Sequence, residues 1–349
     1  MVESIGALQA QYWPALPVAL WSRVVDFAPH KLYDRLERRE LVVGTLLRGT
    51  IHMVSAREHP SYARVVEEAA PDSWRRTKVE AGPELGGLRS RLLEFTQAVP
   101  RAPEEIAGCI EEWVGAHPEA IAREELEAQR ALKWRPFYRW SAFVRAPVDG
   151  SWGTKTPDGR RAAPGSAAPP PEPEVALRAV VESHLRGFGP AAAEDIAGWI
   201  GSRTPPVRAL LEAFTPRLAR FEDEQGRALY DLPEAPRPDA ETAAPVRLLP
   251  WFDSTLLAYV PKRRARILPD AQRDAVIARK NLQIRPTFLV DGLVAGTWTV
   301  ERKRREATLT LKAGQTLSRP ARACVSEEAE RLLRAIHPEA AKHDVGWDR

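Results

Sequence analysis

The sequence contains very little cysteine and no long apolar run. Its 349 residues include only Cys109 and Cys324, which excludes a disulfide framework and a cysteine-rich zinc site. No apolar stretch approaches the roughly 18 residues that a membrane-spanning helix needs, and the N-terminus lacks the charged-then-apolar pattern of a signal peptide. We therefore expect a cytoplasmic protein with no membrane partner.

Common motifs for metals, nucleotides and nucleophilic serine are missing as well. The seven histidines are scattered, and no pair has the His-x3-His or Cys-x2-Cys spacing of a metal site. There is no glycine-rich phosphate loop and no Gly-x-Ser-x-Gly elbow. If the protein is an enzyme, the sequence predicts that it uses neither a metal nor a cofactor.

Lysine is scarce, whereas arginine is abundant. Of the 51 basic residues 9 are lysine, which leaves 42 arginines. Residues 246–349 contain 20 basic against 12 acidic residues, or +8, while the rest of the chain carries 31 against 35. A basic C-terminal third is compatible with a polyanionic partner, and arginine binds phosphate well. GC-rich coding produces the same arginine bias, so composition alone leaves both explanations open.

Two proline-rich stretches divide the chain. Pro157–Pro173 has six prolines in 17 residues and is predicted to be an extended linker or a long wing tip. Pro233–Pro245 has the same character. A chain of this length exceeds one typical core, and these cuts predict three pieces, 1–156, 174–232 and 246–349.

The first two pieces repeat one local plan, short helices followed by a β-hairpin. The first instance places helices at Ile5–Gln11, Leu16–Val24 and Lys31–Arg38, then a hairpin over Leu41–Ser55, which is rich in β-branched residues and interrupted by Gly44 and Gly49. The second places helices at Glu104–Ala116 and Arg123–Ala131, an extended segment at Phe137–Val144 and a turn at Asp149-Gly150.

The third instance is the most regular. It places helices at Val175–Arg186, Ala191–Ile200 and Pro206–Phe214, then a hairpin over Leu218–Leu232 with Gln225-Gly226 at its tip. Helices followed by a hairpin are typical of winged helices. The fold class that we predict is α+β, with three tandem winged-helix modules, two of them in residues 1–156.

The last piece has a different pattern. Val246–Leu257, Thr287–Leu293 and Trp298–Lys312 are predicted strands, with turns at Asp291-Gly292 and Arg304-Arg305, and Glu327–Ile336 is a predicted closing helix. We expect a β-rich C-terminal region.

The tripeptide Gln9-Ala10-Gln11 carries the most specific chemical signal. Because Pro14 disfavours helical geometry for Trp13, a helix begun near Ile5 should end close to Gln11, where the two amides can converge. Glutamine has no useful pKa, but its carbonyl can hold a water molecule. Such a weak group suits only a reaction with an already activated leaving group. Without further information, an exposed amide at a helix end is the better explanation for Gln9.

Four motifs follow one another along the chain: Leu8-Gln9-Ala10-Gln11, Leu46–Val54 (LLRGTIHMV), Leu248–Asp253 (LLPWFD), and Arg285–Gly292 (RPTFLVDG) with Gly296-Thr297-Trp298. Together they resemble the AlkZ/YcaQ-like winged-helix DNA glycosylases, bacterial enzymes that remove bulky alkylated purines from DNA. The resemblance runs over nearly the whole chain. The family motif ordinarily lies farther from the N-terminus than residue 9, which leaves open a misplaced start or a missing helix beside the site.

The resemblance implies a fold, a reaction and a catalytic pair. It implies three tandem winged helices with a β-rich C-terminal region, and catalytic roles for Gln9 and Gln11 in a Gln-x-Gln branch. The reaction is hydrolysis of the N-glycosidic bond of N7- or N3-alkylated purines in double-stranded DNA, in a monomer without cofactor. Alkylation already makes the base a good leaving group, so neutral amides suffice. A role in self-resistance to a DNA-alkylating natural product is a family-level implication.

Five residues are candidates for contacts with DNA. Arg48 and His52 lie in the first hairpin, where the alternative is a solvated charge for Arg48 and a backbone-bonded ring for His52. Lys155, Arg160 and Arg161 flank the Pro157-Asp158-Gly159 turn and could lie along a phosphate backbone.

Several other residues remain ambiguous. Tyr12 and Trp13 could stack on bases, although core packing is the better explanation for Trp13. Asp253 is better explained as a turn cap. The basic clusters Lys262-Arg263-Arg264 and Arg302–Arg305 could face DNA or simply be solvated turns.

A second function is compatible with the same sequence. Winged helices mostly serve DNA binding without catalysis, as in regulators or structure-specific binders. A regulator usually dimerises to read half-sites, and the sequence has no heptad pattern for a dimer helix. A protein-interaction scaffold is a third and weaker alternative.

Overall fold

The computed structural model describes residues 1–70, 85–137, 140–239, 241–278 and 283–348. Helices and sheets are both extensive, so the predicted α+β class is confirmed. Three sheets organise these residues, and we describe them in chain order. None of the described helices is both long and apolar enough to cross a membrane.

The first sheet has five strands, all paired antiparallel, in the order β1-β3-β2-β4-β5. Its strands are β1 (Leu8–Gln9), β2 (Leu41–Thr45), β3 (Ile51–Ser55), β4 (Phe143–Ala146) and β5 (Gly159–Ala162). The predicted hairpin over residues 41–55 is confirmed as β2 and β3. The sheet also incorporates strands from the predicted second module, so the first two hairpins share one sheet.

Gly44 marks the place where the two hairpins meet. It pairs with Val144 of β4, and a Cβ atom at Gly44 would lie 3.2 Å from the Phe143 carbonyl oxygen. The missing side chain therefore permits a close backbone approach. We expected Gly44 to interrupt the hairpin, but it lies within β2 because the adjacent strand needs that space.

Six helices pack around this sheet: α1 (Ala15–Trp21), α2 (Pro29–Glu37), α3 (His59–Ala69), α4 (Leu85–Gln97), α5 (Pro103–Ala116) and α6 (Arg123–Ala131). The predicted α2, α5 and α6 are confirmed within two residues, and α1 ends three residues early. Leu16, Leu20, Leu32 and Leu36 of α1 and α2 are buried in one cluster beneath β1–β3. The helices α3 and α4 lie in a part of the sequence for which we had made no prediction.

The third predicted instance forms a helical unit, residues 173–231. It comprises α7 (Pro173–Phe188), α8 (Ala193–Ile200), α9 (Thr204–Phe214) and the hairpin of β6 (Ala219–Glu222) with β7 (Ala228–Asp231). The predicted helices and hairpin are confirmed. Proline in the first turn suits α7 and α9, because its missing N–H would be unpaired there anyway, and α8 ends on Gly201 in the left-handed conformation.

The C-terminal region is a second five-stranded sheet in the order β12-β11-β10-β9-β8. Its elements are β8 (Arg247–Leu249), α10 (Arg273–Val276), β9 (Thr287–Val290), β10 (Leu293–Lys303), β11 (Glu306–Ala313), α11 (Arg319–Ile336) and β12 (Lys342–Trp347). The predicted turns at 291–292 and 304–305 are confirmed, with Asp291, Gly292 and Arg304 at positive φ. We had not predicted β12, which runs parallel to β11.

Two local predictions are wrong. Ile5–Gln11 is not a helix, because the backbone of Leu8 and Gln9 pairs with β3. Val246–Leu257 is a strand only to Leu249 and then turns. The stretch Pro157–Pro173 contains β5 and ends at the first residue of α7, so it is not a linker throughout, and the alternative of a wing tip stays a prediction.

Of two other predictions, one is confirmed only in part and one stays a prediction. Within Phe137–Val144 only the end is strand, and residues 138 and 139 lie outside the described residues. The division into three winged-helix modules stays a prediction.

Candidate active site

Gln9 lies on the two-residue strand β1 at the edge of the first sheet, and Gln11 follows it at a bend. Gln9 pairs with His52, and the Ala10 N–H donates to the Ile51 carbonyl at 2.7 Å. The frayed helix end that we expected is therefore replaced by a short strand that continues into a bend. Convergence of the two amides stays a prediction.

Distant parts of the chain hold this segment in place. The Ser254 hydroxyl donates to the Ala7 carbonyl at 3.0 Å, and the Arg186 guanidinium donates to the Glu3 carbonyl. Gln11 is exposed, and its side-chain oxygen lies 3.4 Å from the Ile51 N–H. The backbone just before the glutamines is thus held by distant residues, while Gln11 remains open to solvent.

Gln9 contacts a small polar network behind the segment. An Nη2 hydrogen of Arg48 donates to the Gln9 side-chain oxygen at 3.2 Å, and the same nitrogen lies 3.3 Å from Nε2 of His52. The Nη1 group of Arg48 donates to the Trp199 carbonyl near the end of α8. Arg48 therefore connects the first sheet to the helical unit.

Burial sets the charge states in this network. Desolvation, with a smaller contribution from the nearby cation Arg264, lowers the pKa of Arg48 to about 10, so the guanidinium stays charged at neutral pH. Burial and the adjacent Arg48 lower the pKa of His52 to about 3, so that ring is neutral. His52 is fully buried and has no exposed nitrogen for a phosphate, and the backbone-bonded alternative fits its 3.1 Å contact with the Thr50 carbonyl.

A groove of about 790 Å³ opens beside Gln11, along β2, β3 and the start of α5. Its charged lining residues are four cations and one anion: Lys133, Arg135, Arg145, Arg160 and Glu104. Four positive charges against one negative charge give +3 at neutral pH. The groove thus brings a predicted catalytic residue and a predicted DNA contact to one surface.

The neighbours Arg160 and Arg161 point in opposite directions, as successive residues of a strand must. Arg160 lines the basic groove. Arg161 instead donates to the backbone carbonyls of Gln97 and Ala98 at the end of α4. Lys155 is exposed in the loop between β4 and β5. The DNA contacts predicted for these three residues stay predictions, and only Arg160 lines the groove.

The two aromatic residues after Gln11 have different environments. Tyr12 is 47% exposed and packs edge-on against Trp251, with ring centroids 6.2 Å apart. Trp13 is buried, and its indole N–H donates to the Gly153 carbonyl at 2.9 Å. The prediction of core packing for Trp13 is confirmed, while Tyr12 offers an open ring beside the catalytic candidates.

Other ambiguous residues are structural. The Asp253 carboxylate accepts from the Thr255 N–H and from Arg23, as expected for a turn cap. In the first basic cluster, Arg263 is buried against Asp195. In the second, Arg302 pairs with Glu339 on a solvated hairpin. These contacts assign Arg263 and Arg302 to structural ion pairs.

Sequence reasoning missed three basic residues of the groove. Lys133 and Arg135 follow α6 in a turn where Lys133 and Trp134 have positive φ, and no local motif signals that geometry. Arg145 follows two buried residues of β4, and the burial pattern of Phe143–Ala146 does not alternate, so a period-two pattern could not have identified it. Within the described ranges no group of histidine, cysteine and acidic residues could hold a metal ion.

Comparisons with known proteins agree with this architecture. A family model described as DNA glycosylase AlkZ-like matches residues 2–335. The fold is similar to the solved structure of the DNA glycosylase AlkZ from Streptomyces sahachiroi, with a TM-score of 0.77, 20% identity, and coverage of 99% of this chain and 92% of that one. At this identity the structural likeness concerns the fold alone. No curated protein matches the chain in sequence.

Proposed function

The chain belongs to the AlkZ-like family of DNA glycosylases, and from this premise we propose that it hydrolyses the N-glycosidic bond of bulky N7- or N3-alkylated purines in double-stranded DNA. Gln9 and Gln11 are the proposed catalytic residues. The observation that carries this proposal is the position of Gln11 on the basic groove, two residues after Gln9, whose amide oxygen accepts from Arg48. A polyanion bound in that groove would meet the neutral, water-holding amide of Gln11, with Gln9 close by in the chain.

The chemistry suits neutral amides. Alkylation at N7 places a positive charge on the purine, so the base leaves as a neutral molecule and needs no protonation. The bond from C1′ of the sugar to the base nitrogen breaks, the electron pair goes to the base, and an oxocarbenium-like sugar remains. Carbonyl oxygens of the glutamines stabilise that charge and hold the attacking water. The proton released by the water passes to solvent, because an amide cannot retain it.

The groove supplies affinity for the phosphate backbone. Its net +3 charge attracts DNA without reading sequence. Arg160 is the proposed contact within the groove, and Lys155 is the proposed contact from the loop between β4 and β5. DNA affinity is therefore expected to fall steeply with salt.

The exposed ring of Tyr12 supports the proposal that this enzyme accepts bulky adducts. Its half-exposed ring beside Gln11 could stack on an aromatic adduct or an unpaired base, at about 1–3 kcal/mol per base. The contact with Trp251 fixes the edge of that ring. An open stacking surface places few limits on adduct size.

The test is single-turnover release of N7-methylguanine from methylated duplex DNA, together with release of a bulky N7-alkylguanine. The variants are Gln9→Ala, Gln11→Ala and the double substitution, each expected to lower the rate by about 10²–10³ with unchanged DNA affinity. Gln97→Ala, an exposed glutamine at the end of α4, is the matched control and should excise normally.

The results separate the two functions considered from the sequence. Release by the wild-type protein and not by the double variant supports the proposed enzyme. Binding without release of either base, unchanged by the glutamine substitutions, would support a non-catalytic DNA-binding protein instead. Release that persists in the double variant would overturn the catalytic assignment.

We further propose a monomeric, cytoplasmic enzyme that protects its host against a DNA-alkylating natural product. Bulky-adduct excision would give that protection directly. Expression in a sensitive bacterium should raise survival under a bulky alkylating agent, and the Gln9→Ala/Gln11→Ala protein should not.

A further inference from the structure

We propose that Arg48 is a positioning residue of this enzyme, whose guanidinium fixes the orientation of the Gln9 amide and thereby the attacking water. This inference rests on the proposed glycosylase activity and on the proposed role of Gln9. It gives Arg48 a different task from the phosphate contact that its place in a hairpin suggested.

Three acceptors from three parts of the fold hold the Arg48 guanidinium. Nη1 donates to the Trp199 carbonyl, and Nη2 lies 3.2 Å from the Gln9 oxygen and 3.3 Å from Nε2 of His52. Nδ1 of His52 is 3.1 Å from the Thr50 carbonyl, which can only accept. The ring proton therefore lies on Nδ1, and Nε2 is left as an acceptor for Arg48.

The charge of Arg48 is satisfied by dipoles. Among the described residues it forms no ion pair with a carboxylate, and the charged group that contributes to its lowered pKa is another cation, Arg264. The Trp199 carbonyl belongs to the last turn of α8, where carbonyls lack intrahelical partners and the helix end is negative. Such a site needs the planar fork of arginine, which lysine cannot reproduce.

This arrangement decides which end of the Gln9 amide is the acceptor. With its oxygen bound to Arg48, the amide cannot rotate to exchange oxygen and nitrogen without losing that hydrogen bond. A carbonyl oxygen has two lone pairs, so one remains for water. The backbone of Arg48 is equally constrained, at φ 56° in a tight turn packed against Gly201.

An electrostatic role for Arg48 in the chemical step is unfavourable. A cation beside a developing oxocarbenium ion would raise its energy. The contribution of Arg48 must therefore be geometric, and misplacement of a catalytic group by about 1 Å can cost up to roughly 100-fold in rate.

The experiment compares Arg48→Lys with Arg39→Lys in single-turnover excision at saturating protein, with DNA affinity measured over a range of salt. Arg39 is a matched control, because it also has positive φ, lies in a turn beside β2 and donates to a backbone carbonyl, that of Ala162. We expect Arg48→Lys to excise roughly 10- to 100-fold more slowly, with unchanged affinity and salt dependence. Arg39→Lys should keep the wild-type rate.

A double-substitution cycle tests the route through Gln9. In the Gln9→Ala background, Arg48→Lys should cause no further loss, because the amide that it orients is gone. Additive losses would overturn the inference. A wild-type excision rate for Arg48→Lys would also overturn it. A variant that loses DNA affinity and salt dependence, but not excision rate, would indicate a phosphate contact instead.

A second variant covers the case in which Arg48→Lys does not fold. His52→Ala removes one acceptor of Nη2 and should slow excision roughly three- to tenfold without changing affinity; an unchanged rate would count against the proposal. Failure of the proposed function is distinguishable, because the wild-type protein would then release no base and the inference would fall with it.

Discussion

The first sheet and the helical unit use similar parts and assemble them in different ways. In the helical unit, three helices and the β6–β7 hairpin follow one another, and the hairpin strands pair with each other and, through Tyr230, with Ala191 of the same unit. In the first sheet, Leu8 pairs with Met53 and Gly44 with Val144. The helical unit is formed by residues close together in sequence, whereas the first sheet is assembled from segments far apart in the chain.

The polar site lies in the region with distant pairings. Gln9, Arg48 and His52 all belong to the first sheet or its β2–β3 turn, whereas the helical unit supplies a backbone carbonyl from Trp199. The geometry of the proposed catalytic site therefore depends on contacts between residues far apart in the chain. The predictions below test that division.

Lowering the pH should produce the largest difference in stability between the first sheet and the helical unit. Burial lowers the pKa of His52 to about 3 and those of His59 and His184 to about 4, from an ordinary value of 6.5. As pH falls below 6.5 the unfolded chain binds protons first, so stability present at neutral pH is lost progressively down to about pH 3–4. At pH 5 each ring should lower the free energy of unfolding by on the order of 2 kcal/mol relative to neutral pH.

Two of these histidines adjoin the first sheet and one lies in α7. Denaturant unfolding at pH 7.5 and 5 measures the total loss, and hydrogen exchange locates it. Protection should fall further in β2 and β3 than in α8 and α9. Equal losses of protection in both regions would show that acid does not destabilise the first sheet more than the helical unit.

A glycine pair tests the contact between the regions. Gly201 and Gly226 both have positive φ, but a Cβ atom at Gly201 would lie 3.0 Å from Cα of Arg48, whereas at Gly226 it meets only a side-chain oxygen at 3.6 Å. Alanine at either position should cost about 1 kcal/mol through backbone strain. Only Gly201→Ala should also push the Arg48 turn and slow excision.

Unfolding free energies and single-turnover rates for the two glycine variants check this. If Gly226→Ala slows excision as much as Gly201→Ala, the Arg48 turn is not the reason. The slower excision would then reflect lower stability of the fold rather than a change at the site.

The smallest effect is expected for single charges of the groove. Arg160→Ala should weaken DNA binding roughly tenfold and lower the salt slope by about 1, because one phosphate contact is lost. Arg161→Ala should leave both unchanged, since its side chain is held on α4 backbone carbonyls. Titrations at several salt concentrations measure both, and equal losses would mean that DNA also follows the opposite face of β5.

The helices and hairpin of the helical unit could be predicted from sequence because their signals are local. Apolar periodicity, prolines in first turns and a glycine at a helix end or hairpin tip mark α7–α9 and β6–β7. The C-terminal turns at Asp291-Gly292 and Arg304-Arg305 were predictable for the same reason. By contrast, β12 pairs with β11 across a helix, and no nearby residue signals that pairing.

The candidate site was only partly predictable. Gln9 and Gln11 stood out by motif, but a two-residue strand has too little periodicity to be distinguished from a helix end. Arg48 and His52 were identified as residues of interest and given a surface role. Arg48 packs against the end of α8, which lies far away in sequence, so no local pattern could reveal its burial.

The hydrogen bond from Ser254 to the Ala7 carbonyl has a consequence for the protein during its synthesis. A ribosome translates the glutamines first, but the residue that ties down their segment emerges some 240 residues later. A nascent chain that stops before Ser254 already carries the arginines and the lysine of the basic groove, which we propose to bind DNA. Its glutamine segment would lack that anchor, so unfinished protein could bind the chromosome without cutting bases from it.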